Sequence, residues 1–142
     1  MIEAKRCFID SNVWIYAATQ SEDIPPDPRH EIARTLINQM QPVLSVQVIN
    51  EVSYNLVRKF NFTEPDIQKL VKSFYRTYTV CPIMDEVLLL EASSIRQRYN
   101  ISFWDSMLVS TAIQSQCSLF YTEDMNHGLI VNDVLTIINS FI

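Results

Sequence analysis

Five carboxylates in this chain stand where an α/β protein gathers its chemistry. Asp10 ends the apolar run at the start of CFIDSNVWIY, Glu51 lies within SVQVINEVSYNLVRKF, Asp105 within SFWDSMLVSTAIQ, and Glu123 and Asp124 within YTEDMNHG. Carboxylates brought together repel one another and stay ionised only where cations compensate them. Their hard oxygen ligands select Mg2+ or Mn2+ over Zn2+ or copper. The chemistry of such a site is metal-assisted hydrolysis, commonly of a phosphodiester, in which a bound cation lowers the pKa of the attacking water.

Each acid also has a plain local explanation. Asp10, Ser11 and Asn12 are all favoured helix caps. Glu51 falls beside Val48 at the edge of an apolar helix face, where a boundary Glu pairs with a basic neighbour. Ser102 and Asp105 fit a capping box, and an acid in a first helical turn suits the helix dipole. Yet Trp104 precedes Asp105, and Leu108 and Val109 sit three and four residues on, so this carboxylate is flanked by apolar surface. A partly desolvated acid needs compensation, which a metal ion would supply. Glu123 and Asp124 make an ordinary polar turn after a strand. What the local explanations leave out is the recurrence: acids after strands, or early in the following helices, throughout one short chain.

The elements that must position these acids follow from periodicity. Strand-like runs occur at Arg6 to Ile9, Val43 to Ser45, Val80 to Ile83, Ser118 to Tyr121 and Val134 to Ile138. Between them lie helical stretches. Val48, Ile49, Val52, Leu56 and Phe60 recur at helical spacing over Val46 to Phe60, and Thr63 opens a second helix with Glu64, Pro65 and Asp66 in its first turn. Further helices are predicted over Arg29 to Met40, Asp85 to Tyr99 and Ser102 to Gln116, the first of them preceded by a polar, Pro-rich loop around SEDIPPDP. Strands alternating with crossover helices predict an α/β fold with a largely parallel sheet, which binds ligands at the carboxyl ends of its strands. Asp10 sits at such an end.

Composition narrows the remaining classes. The 142 residues, 48% hydrophobic, predict a single domain over residues 1–142 with a substantial core. No apolar stretch approaches the roughly 20 residues of a bilayer span, and the N-terminus carries no apolar leader region, so a cytoplasmic protein without membrane association is expected. Cys7, Cys81 and Cys117 are too few and too scattered for a disulfide framework and read as small buried hydrophobes. With His30 and His127 as the only histidines and no CxxC, a zinc ligand set is lacking. The single glycine excludes the Gly-rich loops of Rossmann and P-loop nucleotide sites. A net charge of −5 argues against holding nucleic acid by bulk electrostatics, although metal bound among carboxylates reverses the sign locally.

Taken in order, FIDSNVWIYA, LSVQVINEVSYNL, ISFWDSMLVSTAI and LFYTEDMNHG resemble the acidic motifs of the PIN-domain family, most closely its VapC-type toxin ribonucleases. The resemblance runs from Arg6 to the C-terminus. It implies a three-layer α/β/α sandwich and a Mg2+- or Mn2+-dependent endoribonuclease. It assigns Asp10 as the first-strand acid, Glu51 as the acid after the second strand, Asp105 as the acid opening a later helix and Asp124 as the last acid. Glu123 becomes an extra or substitute metal ligand, and Ser11 or Asn12 a support for the first acid. Asp10, Asp105 and Asp124 would then hold one or two ions, with Glu51 a further ligand or an orienter of the attacking water. The same resemblance implies a homodimer and a cognate antitoxin protein that occupies the cleft.

RNA would be held by basic residues outside the acids. Arg58 and Lys59 end one helix, and Lys69, Lys72 and Arg76 lie in the next, interleaved with Phe74, Tyr75 and Tyr78. The competing expectation makes Phe74 and Tyr78 core contacts and the lysines merely solvated. His127 reads as a solvated turn residue or a phosphate contact. A receiver-like phosphotransfer protein would use Asp85 but lacks a Lys after the fourth strand, and a haloacid-dehalogenase-type phosphatase needs an Asp where Asn12 stands. The alternative from another class is a non-catalytic PIN-like module that binds RNA or a protein.

Overall fold

The computed structural model describes residues 6–20 and 22–142. The first five residues, including the stretch read as free of a leader, and Ser21 of the Pro-rich loop lie outside the described residues. In chain order the elements are β1 (Arg6–Ile9), α1 (Ser11–Ala18), α2 (Arg29–Gln39), β2 (Gln41–Ser45), α3 (Val46–Phe60), α4 (Glu64–Thr77), β3 (Thr79–Cys81), α5 (Glu86–Arg98), α6 (Phe103–Gln114), β4 (Leu119–Tyr121), β5 (Ile130–Val131) and β6 (Leu135–Ile138). No helix among the described residues is long and apolar enough to cross a membrane.

The strands form one sheet of order β3-β2-β1-β4-β6-β5, parallel throughout except for the β5–β6 pair. β1 lies inside it with helices over both faces, so Cys7, Phe8 and Ile9 are fully buried and the strand reads as a continuous apolar run. Phe8 pairs with Phe120 across the β1–β4 ladder and their rings stack at 5.1 Å. Right-handed crossovers place α1–α4 over one face and α5–α6 over the other. The packing agrees: α1 meets α2 and α3, α3 meets α4, and α5 meets α6. All three cysteines are buried free thiols.

Local chemistry sets the element ends. Ser45 caps α3, and Asn61 ends it in the left-handed region at φ 58°. Thr63 and Asp66 close a full capping box on α4. Val48, Ile49, Val52 and Leu56 form the buried stripe of α3, but Phe60, expected to extend it, is exposed in the last turn. α6 is buried from Ser106 to Ala112 because it is sandwiched between the sheet and α5, where the Ser110 hydroxyl donates to the Leu88 carbonyl at 2.7 Å. The helix expected over Asp85 to Tyr99 begins one residue later, since the Asp85 side chain is its N-cap. Asp85 therefore caps α5, accepting from the Leu88 N–H at 3.0 Å.

β5 was not anticipated from the sequence. It is two residues long and exists through its hairpin with β6. Asn132 and Asp133 make the turn with φ of 51° and 59°, and Val134 N–H closes it on the Val131 carbonyl at 3.1 Å. Two successive positive φ values match the right-handed twist of paired strands, and Asn and Asp tolerate them best after Gly.

Phe74 is buried edge-on against Trp14 at 5.1 Å, with Tyr78 packed beside both rings, whereas Tyr75 is exposed. The core expectation for Phe74 and Tyr78 thus holds. Phe74→Ala should destabilise the protein by about 3–5 kcal/mol and Tyr75→Ala by no more than about 0.5 kcal/mol, read from urea unfolding midpoints.

Candidate functional site

Strand order changes direction at β1: β2 and β3 follow on one side, and β4 and β6 lie on the other. A crevice opens at the carboxyl ends of strands that flank such a switch point. Asp10 occupies it. Its backbone N–H extends the β1–β4 ladder by bonding the Tyr121 carbonyl at 3.0 Å, and its side chain caps α1. The Trp14 indole donates to the Ile9 carbonyl at 3.0 Å and fixes the helix against the strand end.

The Asp10 carboxylate is 3% exposed. Oδ1 accepts from the Ser11 N–H at 2.7 Å and Oδ2 from the Thr122 hydroxyl at 2.8 Å. Burial pushes its pKa up to about 6; the two hydrogen bonds oppose the rise, and the nearby charges of Glu51 and Asp105 reinforce it. Two sequence-predicted acids, from α3 and α6, therefore act on Asp10 at the end of β1, and no basic group figures among the influences on it. Glu51 is half-buried and takes a bond from Gln47 Nε2 at 3.1 Å, one turn earlier on α3. Asp105 is half-buried in the first turn of α6. Only half of its expected capping box forms: Ser102 accepts from the Asp105 N–H at 3.3 Å, without the return bond that Asp66 makes to Thr63.

The last acids divide. Asp124 joins Asp10 through shared neighbours: Asn12 Nδ2 donates to Asp124 Oδ2 at 3.0 Å, and the Asp124 N–H donates to the Thr122 hydroxyl oxygen at 3.1 Å. Asn12 also accepts the Glu123 N–H at 3.3 Å. The two residues flagged as supports therefore split the work, Ser11 serving Asp10 and Asn12 the last acid. The Glu123 carboxylate is engaged elsewhere, accepting from Arg29 at 2.9 Å and from the Tyr16 hydroxyl at 2.7 Å. Arg29 also lies over the Tyr16 ring and binds Asp27 with two of its nitrogens, holding that carboxyl down at about 2. Burial and then the Glu123 carboxylate push Tyr16 up to about 12, so its hydroxyl keeps the proton it donates.

Thr122, Gln47, Tyr16 and Arg29 were not singled out in the sequence. Thr122 alone carried a usable signal, a hydroxyl between a buried strand and two acids. His127 Nδ1 accepts the Asn139 N–H at 3.0 Å and staples the turn to the C-terminal segment. Arg58, Lys59, Lys69, Lys72 and Arg76 are exposed and make no salt bridge among the described residues.

Among the described residues, no three His, Cys, Asp or Glu side chains are gathered into a group that could hold a metal ion. The donor chemistry still fits a hard dication: a buried carboxylate held by two neutral donors, within reach of the charges of two further carboxylates. Mg2+ is often held by only one or two carboxylates, with water completing its shell.

A PIN domain family model matches residues 7–129. Among solved structures, a toxin–antitoxin complex from Klebsiella pneumoniae superposes with a TM-score of 0.67 at 13% identity, covering 94% of this chain and 97% of that one. VapC20 of Mycobacterium tuberculosis, described as a sarcin–ricin loop cleaving toxin, gives 0.61 at 16% identity over 83% of this chain and 91% of that one. VapBC2 from Rickettsia felis, bound to a DNA fragment from its promoter, gives 0.60 at 16% identity over 93% and 98%. No curated protein matches the chain by sequence. At these identities the superpositions speak for a shared fold, and the family match covers most of the sequence. The chain belongs to the PIN domain family.

Proposed function

We propose that this protein is a Mg2+- or Mn2+-dependent endoribonuclease that hydrolyses RNA phosphodiester bonds and acts as the toxin of a toxin–antitoxin pair. The observation that carries this reading is Asp10, buried at the switch point, acted on by the charges of Glu51 and Asp105, and stabilised by neutral donors alone. A bound dication would supply Lewis acidity, lowering the pKa of the attacking water and balancing charge on the phosphate. Asp10, Asp105 and Asp124 are the proposed ligands, with Glu51 as a further ligand or an orienter of the water. Thr122 and the Ser11 N–H fix both oxygens of Asp10, Asn12 fixes Asp124, and Gln47 sets the Glu51 rotamer. Glu123, occupied by Arg29 and Tyr16, serves in this reading to anchor its loop rather than to bind metal.

The proposed partners are RNA, a second copy of the chain and an antitoxin. Val87, Leu89 and Leu90 are exposed on α5, an apolar surface suited to a homodimer. A groove of about 280 Å³, lined by Trp14, Leu70 and Phe74 on its apolar side and by Arg34, Asn38 and Ser73 on its polar side, is the proposed seat for an amphipathic antitoxin segment.

The wider spacing of the acids favours one second reading, a non-catalytic module that binds RNA or protein. Cleavage decides between the two. A mixed pool of structured and unpaired RNAs should be cut by wild type with Mg2+ or Mn2+, left intact with EDTA, and left intact by Asp10→Asn under all conditions. A folded wild type that cuts nothing would favour the binding module.

Stability gives an independent readout. The native Asp10 carboxyl keeps its proton to about 6, whereas the unfolded one loses it near 3.8. The native state therefore binds more protons within that window, and the metal-free protein loses stability as pH rises through it, on the order of 3 kcal/mol. Asp10→Asn keeps a good helix cap and should flatten this decline. Mn2+ should raise the melting temperature of wild type at pH 7, through its preference for the folded state, and leave that of Asp10→Asn nearly unmoved. Thr122→Val removes the donor that orients Asp10 and should weaken Mn2+ binding by about 10–100-fold in a calorimetric titration while leaving the far-UV spectrum intact.

A further inference from the structure

Asp124 has little of its own to hold it in place. It is exposed, it lies in the stretch 122–129 that belongs to neither helix nor strand, and among the described residues one side-chain bond, from Asn12, reaches its carboxylate. The residue before it is held at four points. The Glu123 N–H donates to Asn12 Oδ1 at 3.3 Å and its carbonyl accepts from Asn139 Nδ2 at 3.4 Å. Oε1 accepts from Arg29 at 2.9 Å and Oε2 from the Tyr16 hydroxyl at 2.7 Å. Arg29 closes the ring by donating to that hydroxyl at 2.6 Å, with its guanidinium 4.5 Å from the centre of the Tyr16 ring. Its other edge grips Asp27 through Nε and Nη2 at 3.0 and 2.6 Å, which fixes the fork at the start of α2.

A partly exposed ion pair contributes little to stability, and Arg29 keeps 38% of its side-chain surface in solvent. What the arrangement fixes is direction, since a planar guanidinium that binds carboxylates along two edges does so in one orientation. We infer that Arg29 and Tyr16 are positioning residues for Asp124, acting through Glu123 to set the loop that carries this proposed ligand. The inference rests on the metal site of the nuclease reading and adds to it a support built from α1 and α2. Charge and position predict opposite signs for its loss. A cation on this loop repels a dication at the neighbouring acid, and Glu123 freed from its pair would stand as a further carboxylate beside Asp124. On electrostatic grounds alone, removing Arg29 therefore tightens metal binding. Removing the support of the loop weakens it, because Asp124 no longer arrives preorganised.

The test is a calorimetric titration of Mn2+ into the metal-free full chain at neutral pH, comparing wild type with Arg29→Gln, Tyr16→Phe, Asp124→Asn and the Arg29→Gln/Asp124→Asn double variant. Arg29→Gln should weaken Mn2+ binding by about tenfold, against the electrostatic trend. Tyr16→Phe removes a hydroxyl and no charge, and should weaken binding in the same direction by a smaller factor. In the Asp124→Asn background the loss of Arg29 should no longer weaken binding, within about twofold, because the ligand it positions is gone. Urea midpoints of the single variants close to that of wild type separate positioning from a folding defect. Tyr16→Phe carries the test alone if Arg29→Gln does not fold.

Equal or tighter Mn2+ binding by Arg29→Gln, or a weakening that persists in full without Asp124, would overturn the positioning role. So would a Tyr16→Phe protein with wild-type affinity. Those results leave the nuclease reading standing as long as wild type binds Mn2+ and Asp10→Asn does not. A folded wild type without saturable Mn2+ binding removes the metal site, and the positioning role with it.

Discussion

The structure is organised around one buried carboxylate at the edge between two strands. Asp10 closes the β1–β4 ladder with its backbone, starts α1 with its side chain, and is almost wholly removed from solvent. Putting an acid there is unfavourable on its own account, and the acids on α3 and α6 increase the penalty. The chain answers with dipoles instead of a cation: a helix-start N–H and a threonine hydroxyl. Arg29, which pairs with the acid next to Asp124, is committed to Asp27 and Glu123. The crevice consequently keeps its negative charge, and the balance is left for something that binds there.

That arrangement explains why Thr122 matters as much as the acids. One hydroxyl donates to Asp10, accepts from the Asp124 N–H at 3.1 Å, and lies 3.4 Å from Asn12 Nδ2. It holds the first and last acids in register across the two strands, and it can do so only because Ile9 pairs with Tyr121. A slip of one residue in that pairing would turn the carboxylate and the hydroxyl to opposite faces. The stacked Phe8 and Phe120 rings, fully buried one position earlier, are the packing that makes the register definite.

Much of this was legible in the sequence, and the boundary of legibility has a physical cause. Apolar runs and helical spacing located β1, β4 and the helices, because burial in a two-faced parallel sheet leaves a strong local pattern. The strand-end rule then singled out Asp10, and the order of acidic motifs singled out Glu51 and Asp105, whose charges the structure brings to bear on it. Distinguishing Glu123 from Asp124 was beyond local pattern, since adjacent residues in a turn carry no periodicity. Their division is settled by Arg29 and Tyr16 on one side and by Asn12 on the other, roughly a hundred residues away in the chain. β5 was missed for a different reason. Two residues are too few for a periodic signal, although Asn-Asp between apolar residues was a readable hairpin turn.

The division of the two acids also resolves the tension between an acidic chain and an RNA-cleaving reading. If the Glu123 carboxylate were left unpaired beside Asp124, a polyanionic strand would meet a correspondingly stronger repulsion at that loop. Withdrawing Glu123 into the Arg29 pair removes one charge from the crevice and uses the same bond to hold the loop that carries Asp124. Tyr16 strengthens the withdrawal: Arg29 donates to its hydroxyl at 2.6 Å, and that hydroxyl in turn donates to Glu123, so each bond polarises the next. The α2 cation thus acts on the loop by pairing with Glu123, which makes that acid part of the frame and leaves Asp124 to Asn12.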